Sequence, residues 1–275
     1  MGPIVRILLI GSLLCVGNSA PAAITAYTGT DLNGNPDPKN TALVLLPNSN
    51  AAEANFLAQL SAYGTETFES FANPTFTSFG VTFGAYGTGT LSSATGDPDY
   101  SGRVRAQAFG TANTQGRFTI SGSRYFETDP GAAGMPNPGD HDNTGDFALT
   151  FTNPVTAFGF YATDIGDFGG VLQVTYHLLG GGAHLESIGN PSTTSGAIYL
   201  GVTTDDLLHP FTSVTFHNTF STQDFVGFDN LTAGTISTLT PTPTGTPMVP
   251  EPGTLAIWGI GALAIIIASR RKALA

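Results

Sequence analysis

A chain of 275 residues with a formal net charge of −11 has room for one sizeable domain and accessory segments. Hydrophobic residues make up 41% of it and charged residues only 11%, so a core can form while Gly, Thr, Ser, Asn and Pro supply the polar surface. From Tyr125 to Ser269 there is no Lys or Arg, which excludes the phosphate-neutralising surface of a nucleic-acid binder; the one cysteine, Cys15, excludes a disulfide framework, a zinc cluster and a thiol nucleophile from the body.

Residues 1–22 read as a signal peptide for the Sec route. Arg6 supplies the positive start, Ile7 to Val16 the short apolar run, and Ala20-Pro21-Ala22 the small-residue cleavage pattern, so the mature chain begins near Ala23. Cys15 does not fit lipid attachment, because Leu14 stands where a small residue is needed.

Residues 23–234 read as an all-β body. Asn50 to Leu60 predicts one short helix, capped by Asn50, with Phe56, Leu57 and Leu60 on one face. After it, short runs predict strands over 65–71, 78–83, 117–120, 146–151, 157–162, 172–177, 197–201, 213–217 and 225–231. Many alternate with period two, and Gly, Pro, Asn or Asp clusters separate them. Eight or nine such strands predict an antiparallel two-sheet sandwich, jelly-roll-like, and no repeat period points to a propeller or β-helix.

Two acidic groups in the body invite chemistry. Asp140, Asp142, Thr144 and Asp146 alternate around a Gly turn, as oxygens do in a Ca²⁺ loop. The pattern departs from an EF-hand, since Phe151 stands where a bidentate Glu belongs, and a polar turn entering a strand is the competing account. Asp164 and Asp167 have the residue types for acid/base work on glycosides, or for a strand-to-strand turn. His141, His177, His184, His209 and His217 show no ligand spacing, and neither a Gly-x-Ser-x-Gly elbow nor a His-Glu-x-x-His helix occurs. Tyr161, Tyr176 and Tyr199 would stack on sugars if exposed, and would fill a sandwich core if buried.

Residues 235–248 alternate Pro and Thr, which predicts an extended linker. Val249-Pro250-Glu251-Pro252 follows, then an apolar stretch from Leu255 to Ala268, then Arg270, Arg271 and Lys272. The stretch is short against the ~20 residues typical of a span, but snorkelling basic side chains let it cross as a single transmembrane helix. The basic cluster stays cytoplasmic and the body faces out.

The Pro250-Glu251-Pro252 triplet, the short apolar helix and the basic terminus together resemble the PEP-CTERM sorting signal of Gram-negative bacteria. That resemblance implies processing by an exosortase, a membrane-embedded cysteine transpeptidase that cuts near the triplet. It implies a transient stay in the inner membrane, then the cell surface or extracellular matrix of a host that makes exopolysaccharide. Glu66–Phe71, Phe158–Asp167, Phe211–Phe216 and Gly227–Leu231 also resemble a recurrent ectodomain of PEP-CTERM proteins, which implies no activity. Glu69 and Asp229 look like the early-strand Glu and late-strand Asp that hold a structural Ca²⁺ in jelly-roll carbohydrate-binding modules. The alternative is that both face solvent on the polar side of their strands.

The expected function is a non-enzymatic surface or matrix protein, structural or glycan-binding, linked to exopolysaccharide and biofilm. A secreted polysaccharide hydrolase using Asp140, Asp142, Asp164 or Asp167 is one alternative, and a Ca²⁺-dependent adhesive or S-layer-like module is another.

Overall fold

The computed structural model describes residues 23–35, 41, 43–94, 102–106, 116–128, 145–165, 171–189, 196–219 and 225–237. All of them belong to one unit that ends at Ser237.

Chain order begins with β1 (Ile24–Asp31), helix α1 (Pro47–Leu57), β2 (Leu60–Glu66), β3 (Thr75–Phe76), β4 (Phe79–Thr82), β5 (Thr88–Ser93), β6 (Gly102–Ala106) and β7 (Arg124–Thr128). It continues with β8 (Phe147–Val155), β9 (Ala157–Thr163), β10 (Leu172–Leu178), β11 (Ala183–Ile188), β12 (Ala197–Thr204), β13 (Phe211–Asn218) and β14 (Gly227–Ile236). One sheet runs β1-β12-β9-β14-β7-β6-β3, with β2 also on β14, and the other runs β11-β10-β13-β8-β5-β4. The pairings are antiparallel and the chain passes repeatedly between sheets, so the expected jelly-roll-like sandwich with one short helix is what forms.

Alternation explains the core. Phe126, Phe158, Phe160 and Phe228 from the larger sheet meet Phe147 and Phe216 from the smaller one, with Phe147 and Phe216 stacked at 4.2 Å. The opposite face of the larger sheet carries a second apolar cluster, where Phe56 of α1 covers Tyr161 and Tyr199. Tyr161, Tyr176 and Tyr199 are therefore all buried, Tyr176 in the main core, and no sugar-stacking face exists at these positions. Gly29 permits the helix to settle on β1, because a Cβ there would lie 2.2 Å from the Asn48 carbonyl oxygen.

The helix starts earlier than Asn50. Pro47 occupies its first turn, and Asp31 at the end of β1 accepts the amide hydrogens of Asn48 (3.1 Å) and Ser49 (2.8 Å). A carboxylate seventeen residues upstream thus does the capping expected of Asn50, whose side-chain oxygen instead accepts the Tyr161 hydroxyl at 3.0 Å. Leu60 opens β2 and is not part of the helix.

Two expected strands are not strands. Residues 67–71 turn after β2, with Phe68 at φ 61°, and 117–120 lie as an irregular cover over the larger sheet. Six strands are unforeseen, β1, β3, β5, β6, β7 and β11, as is β2 before Thr65; they are short or rich in Thr, Ser, Gly or charge, which blurs the apolar signal. β14 runs to Ile236, so the first two residues of the expected linker belong to the sandwich. Among the described residues no helix is long and apolar enough to cross a membrane; the expected C-terminal span lies outside them.

Candidate functional site

β14 pairs with β9 on one side. On the other it meets β7 only at Gly227 and Phe228, then β2 from Leu231 to Ile236. The register shifts between Asp229 and Thr232, and Asn230 takes φ 49°, so the sheet forks at Asp229. Asp229 Oδ2 accepts the amide hydrogens of Ile120 (2.8 Å) and Ser121 (2.9 Å), and Oδ1 accepts that of Asn230 (2.7 Å). Glu69, in the turn after β2, accepts the amides of Ser123 and Arg124 at Oε1 (2.7 Å each) and the Ser123 hydroxyl at Oε2 (3.0 Å). Gly122 sits between these contacts at φ 61°, where a Cβ would come within 2.4 Å of Glu69 Oε1. Two acids far apart in sequence thus grip one loop, Ile120–Arg124.

The two carboxyls are tuned in opposite directions. Burial pushes Asp229 up to about 7 against the pull of its three amide donors, and the charge of Glu69 adds to the rise. For Glu69 the largest effect, desolvation, acts upward, but the Ser123 and Arg124 hydrogen bonds and the Arg124 charge outweigh it and hold the group below its ordinary value.

Sequence resemblance had paired Glu69 and Asp229 around Ca²⁺, and the structure does bring them to one loop. The partners of their oxygens are amide and hydroxyl hydrogens, which a cation repels. One oxygen of each carboxylate already accepts two amides, whereas Ca²⁺ takes six to eight oxygen ligands. Among the described residues no group of three or more His, Cys, Asp or Glu gathers at metal-binding distance. The donor set fits a peptide clamp and not a Ca²⁺ cage. Asp146 bonds to His217 Nδ1 and accepts the Asn218 amide at 2.8 Å, tying the start of β8 to β13. Asp140, His141 and Asp142 lie outside the described residues, as does Asp167. Asp164, at φ 62° and buried, faces Arg117 Nη1 at 3.5 Å.

A second constellation escaped sequence reasoning. Glu127 on β7 is fully buried and accepts from Arg103 Nη2 (3.1 Å), Arg105 Nη1 (2.9 Å) and Arg117 Nε (2.8 Å). Arg117 also lies 5.1 Å from the centre of the Phe225 ring. A signal was present: Arg103 and Arg105 flank core Val104, and Tyr125 and Glu127 flank core Phe126, so period two places all four on the outer face. Only the pairing of β6 with β7, Arg103 opposite Glu127, brings them together.

Residues 249–272 match the family model of the PEP-CTERM protein-sorting motif. The chain carries a PEP-CTERM sorting signal. That signal holds Val249, Pro250, Glu251, Pro252, Arg270, Arg271 and Lys272, which lie outside the described residues together with the expected cleavage residues Ala20 and Ala22. No curated protein matches the chain. Among solved structures, the K2 cleaved adhesin domain of Lys-gingipain is 16% identical, with TM-score 0.39, over 63% of this chain and 98% of its own. The K1 cleaved adhesin domain of Lys-gingipain from Porphyromonas gingivalis W83 is 14% identical, with TM-score 0.38, over 64% and 100%. A family 16 carbohydrate binding module is 12% identical, with TM-score 0.33, over 49% and 86%.

Proposed function

We propose that this protein is exported, released from its membrane-held form by an exosortase, and displayed at the cell surface or in an exopolysaccharide matrix as a non-catalytic, glycan-binding sandwich. The PEP-CTERM signal at 249–272 carries this proposal, because a sorting signal behind an acidic two-sheet sandwich describes cargo built for the outside. Of the acids offered for hydrolysis, Asp164 is buried against the Arg117 guanidinium, and Asp140, Asp142 and Asp167 lie outside the described residues.

Two measurements test the proposal. In a host lacking its exosortase, the protein should accumulate as a longer, membrane-associated form; equal size and fractionation in both strains would remove the processing step. A glycan array probed with the secreted form should show binding without release of reducing sugar. Sugar release that disappears in Asp164→Asn would replace the binding function with a catalytic one.

A further inference from the structure

We propose that the cleft along the outer edge of β4 is a subsite for one ring of a neutral polysaccharide. The inference rests on the glycan-binding function above and names its site and ligand class.

β4 is the outermost strand of the smaller sheet, and the segment that follows β2 is fastened to it by Glu66. Glu66 Oε1 accepts the Phe68 amide at 2.8 Å, and Oε2 accepts the Thr82 amide at 3.0 Å. Beside this contact lies a cleft of about 500 Å³, within the ~300–1,000 Å³ usual for small-ligand sites. Its apolar wall is Phe71, half-buried against Phe79 with ring centres 4.9 Å apart. Its polar wall is hydroxylic, with Thr82, Thr88 and Thr90 exposed on β4 and β5 and Ser70 exposed on the turn. Thr88 shares a hydrogen bond with Thr152 at 2.8 Å, whereas the Ser70 and Thr90 hydroxyls bond to no described residue.

Gly80, opposite Thr90, supplies the room. A Cβ there would meet only the Gly89 carbonyl oxygen, at 3.8 Å, so the space above it is open. A sugar ring has an apolar C–H face and a rim of hydroxyls, which matches an aromatic wall set beside side-chain hydroxyls. Charge selects a neutral ring. Glu66 is the charged residue of the lining, and neither Lys nor Arg stands with it there. A uronate would meet like charge without compensation, while a sugar hydroxyl can donate to the acceptor capacity left on the carboxylate.

Affinity electrophoresis of the full chain in mild detergent tests this, in gels containing neutral glucomannan or acidic polygalacturonate. Glucomannan should retard the wild type more strongly than polygalacturonate does. Gly80→Val, which fills the cleft with a strand-favouring side chain, should weaken that retardation about tenfold, or about 1.4 kcal/mol, with the melting temperature kept. A folded Gly80→Val retarded like the wild type overturns the subsite and leaves the glycan-binding function standing. Should that variant melt early, Thr90→Val decides in its place, since it removes an exposed hydroxyl at nearly constant volume. Retardation by polygalacturonate equal to or above that by glucomannan also overturns the subsite alone. Retardation by neither polymer overturns both.

Discussion

At the residue scale, the buried charges set how stability follows pH. Asp229 titrates near 7 in the folded chain against an ordinary value of 3.8, so between those values the folded state holds a proton that the unfolded state has lost. Its contribution is therefore fully present below about 4 and disappears as pH rises through 7. Glu69 has the opposite sign, since its folded value is depressed, and its contribution disappears as pH falls below the ordinary carboxylate range. Melting temperatures recorded from pH 4 to pH 7.5 should fall with rising pH, and Asp229→Asn should flatten that slope. An unchanged slope in the variant would assign it to another group. Glu127→Gln should cost about 3–5 kcal/mol in urea unfolding, because three guanidiniums would lose the carboxylate that compensates them.

At the scale of elements, helix α1 depends on β1. Asp31 closes two amides of the first helical turn and accepts from the Asn48 side chain as well (2.9 Å). Asp31→Ala should cost about 1–2 kcal/mol in thermal unfolding. Phe56→Ala should cost about 3–5 kcal/mol, because a fully buried ring between Tyr27 and Tyr199 leaves a cavity that the sheet cannot close. Losses below 0.5 kcal/mol in both variants would mean that the helix contributes little to the sandwich. The Ile120–Arg124 loop is the comparable device at the fork, an irregular segment held in place by hydrogen bonds to two acids.

For the whole molecule, a peptide clamp in place of a cation cage predicts that neither Ca²⁺ nor EGTA moves the melting temperature of the full chain by more than about a degree. A rise with Ca²⁺ that Glu69→Gln abolishes would put a cation back at the fork. Charge acts at this scale too. Three of the five cations between the terminal segments meet at Glu127, while on the outer face of the smaller sheet Thr90, Thr150 and Thr215 stand on neighbouring strands.

Much was legible from local pattern alone. The C-terminal sorting signal, the all-β class, the helix near Phe56 and the long central strands each depend on residues adjacent in sequence, where period and composition speak directly. The short polar strands did not, because, of apolar side chains, β6 buries only Val104 and β7 only Tyr125 and Phe126 among charges, and both gain their partners only through pairing. Asp229 and Glu69, paired in sequence by resemblance, both accept hydrogen bonds from one segment of the chain. Their use depended on the Ile120–Arg124 loop, whose amides no sequence pattern directs at a carboxylate. The arginine cluster was hidden for the same reason. Sequence determined which side of a strand each residue faces, while only tertiary pairing decided which charges share that side, because ion pairs form across strands distant in the chain.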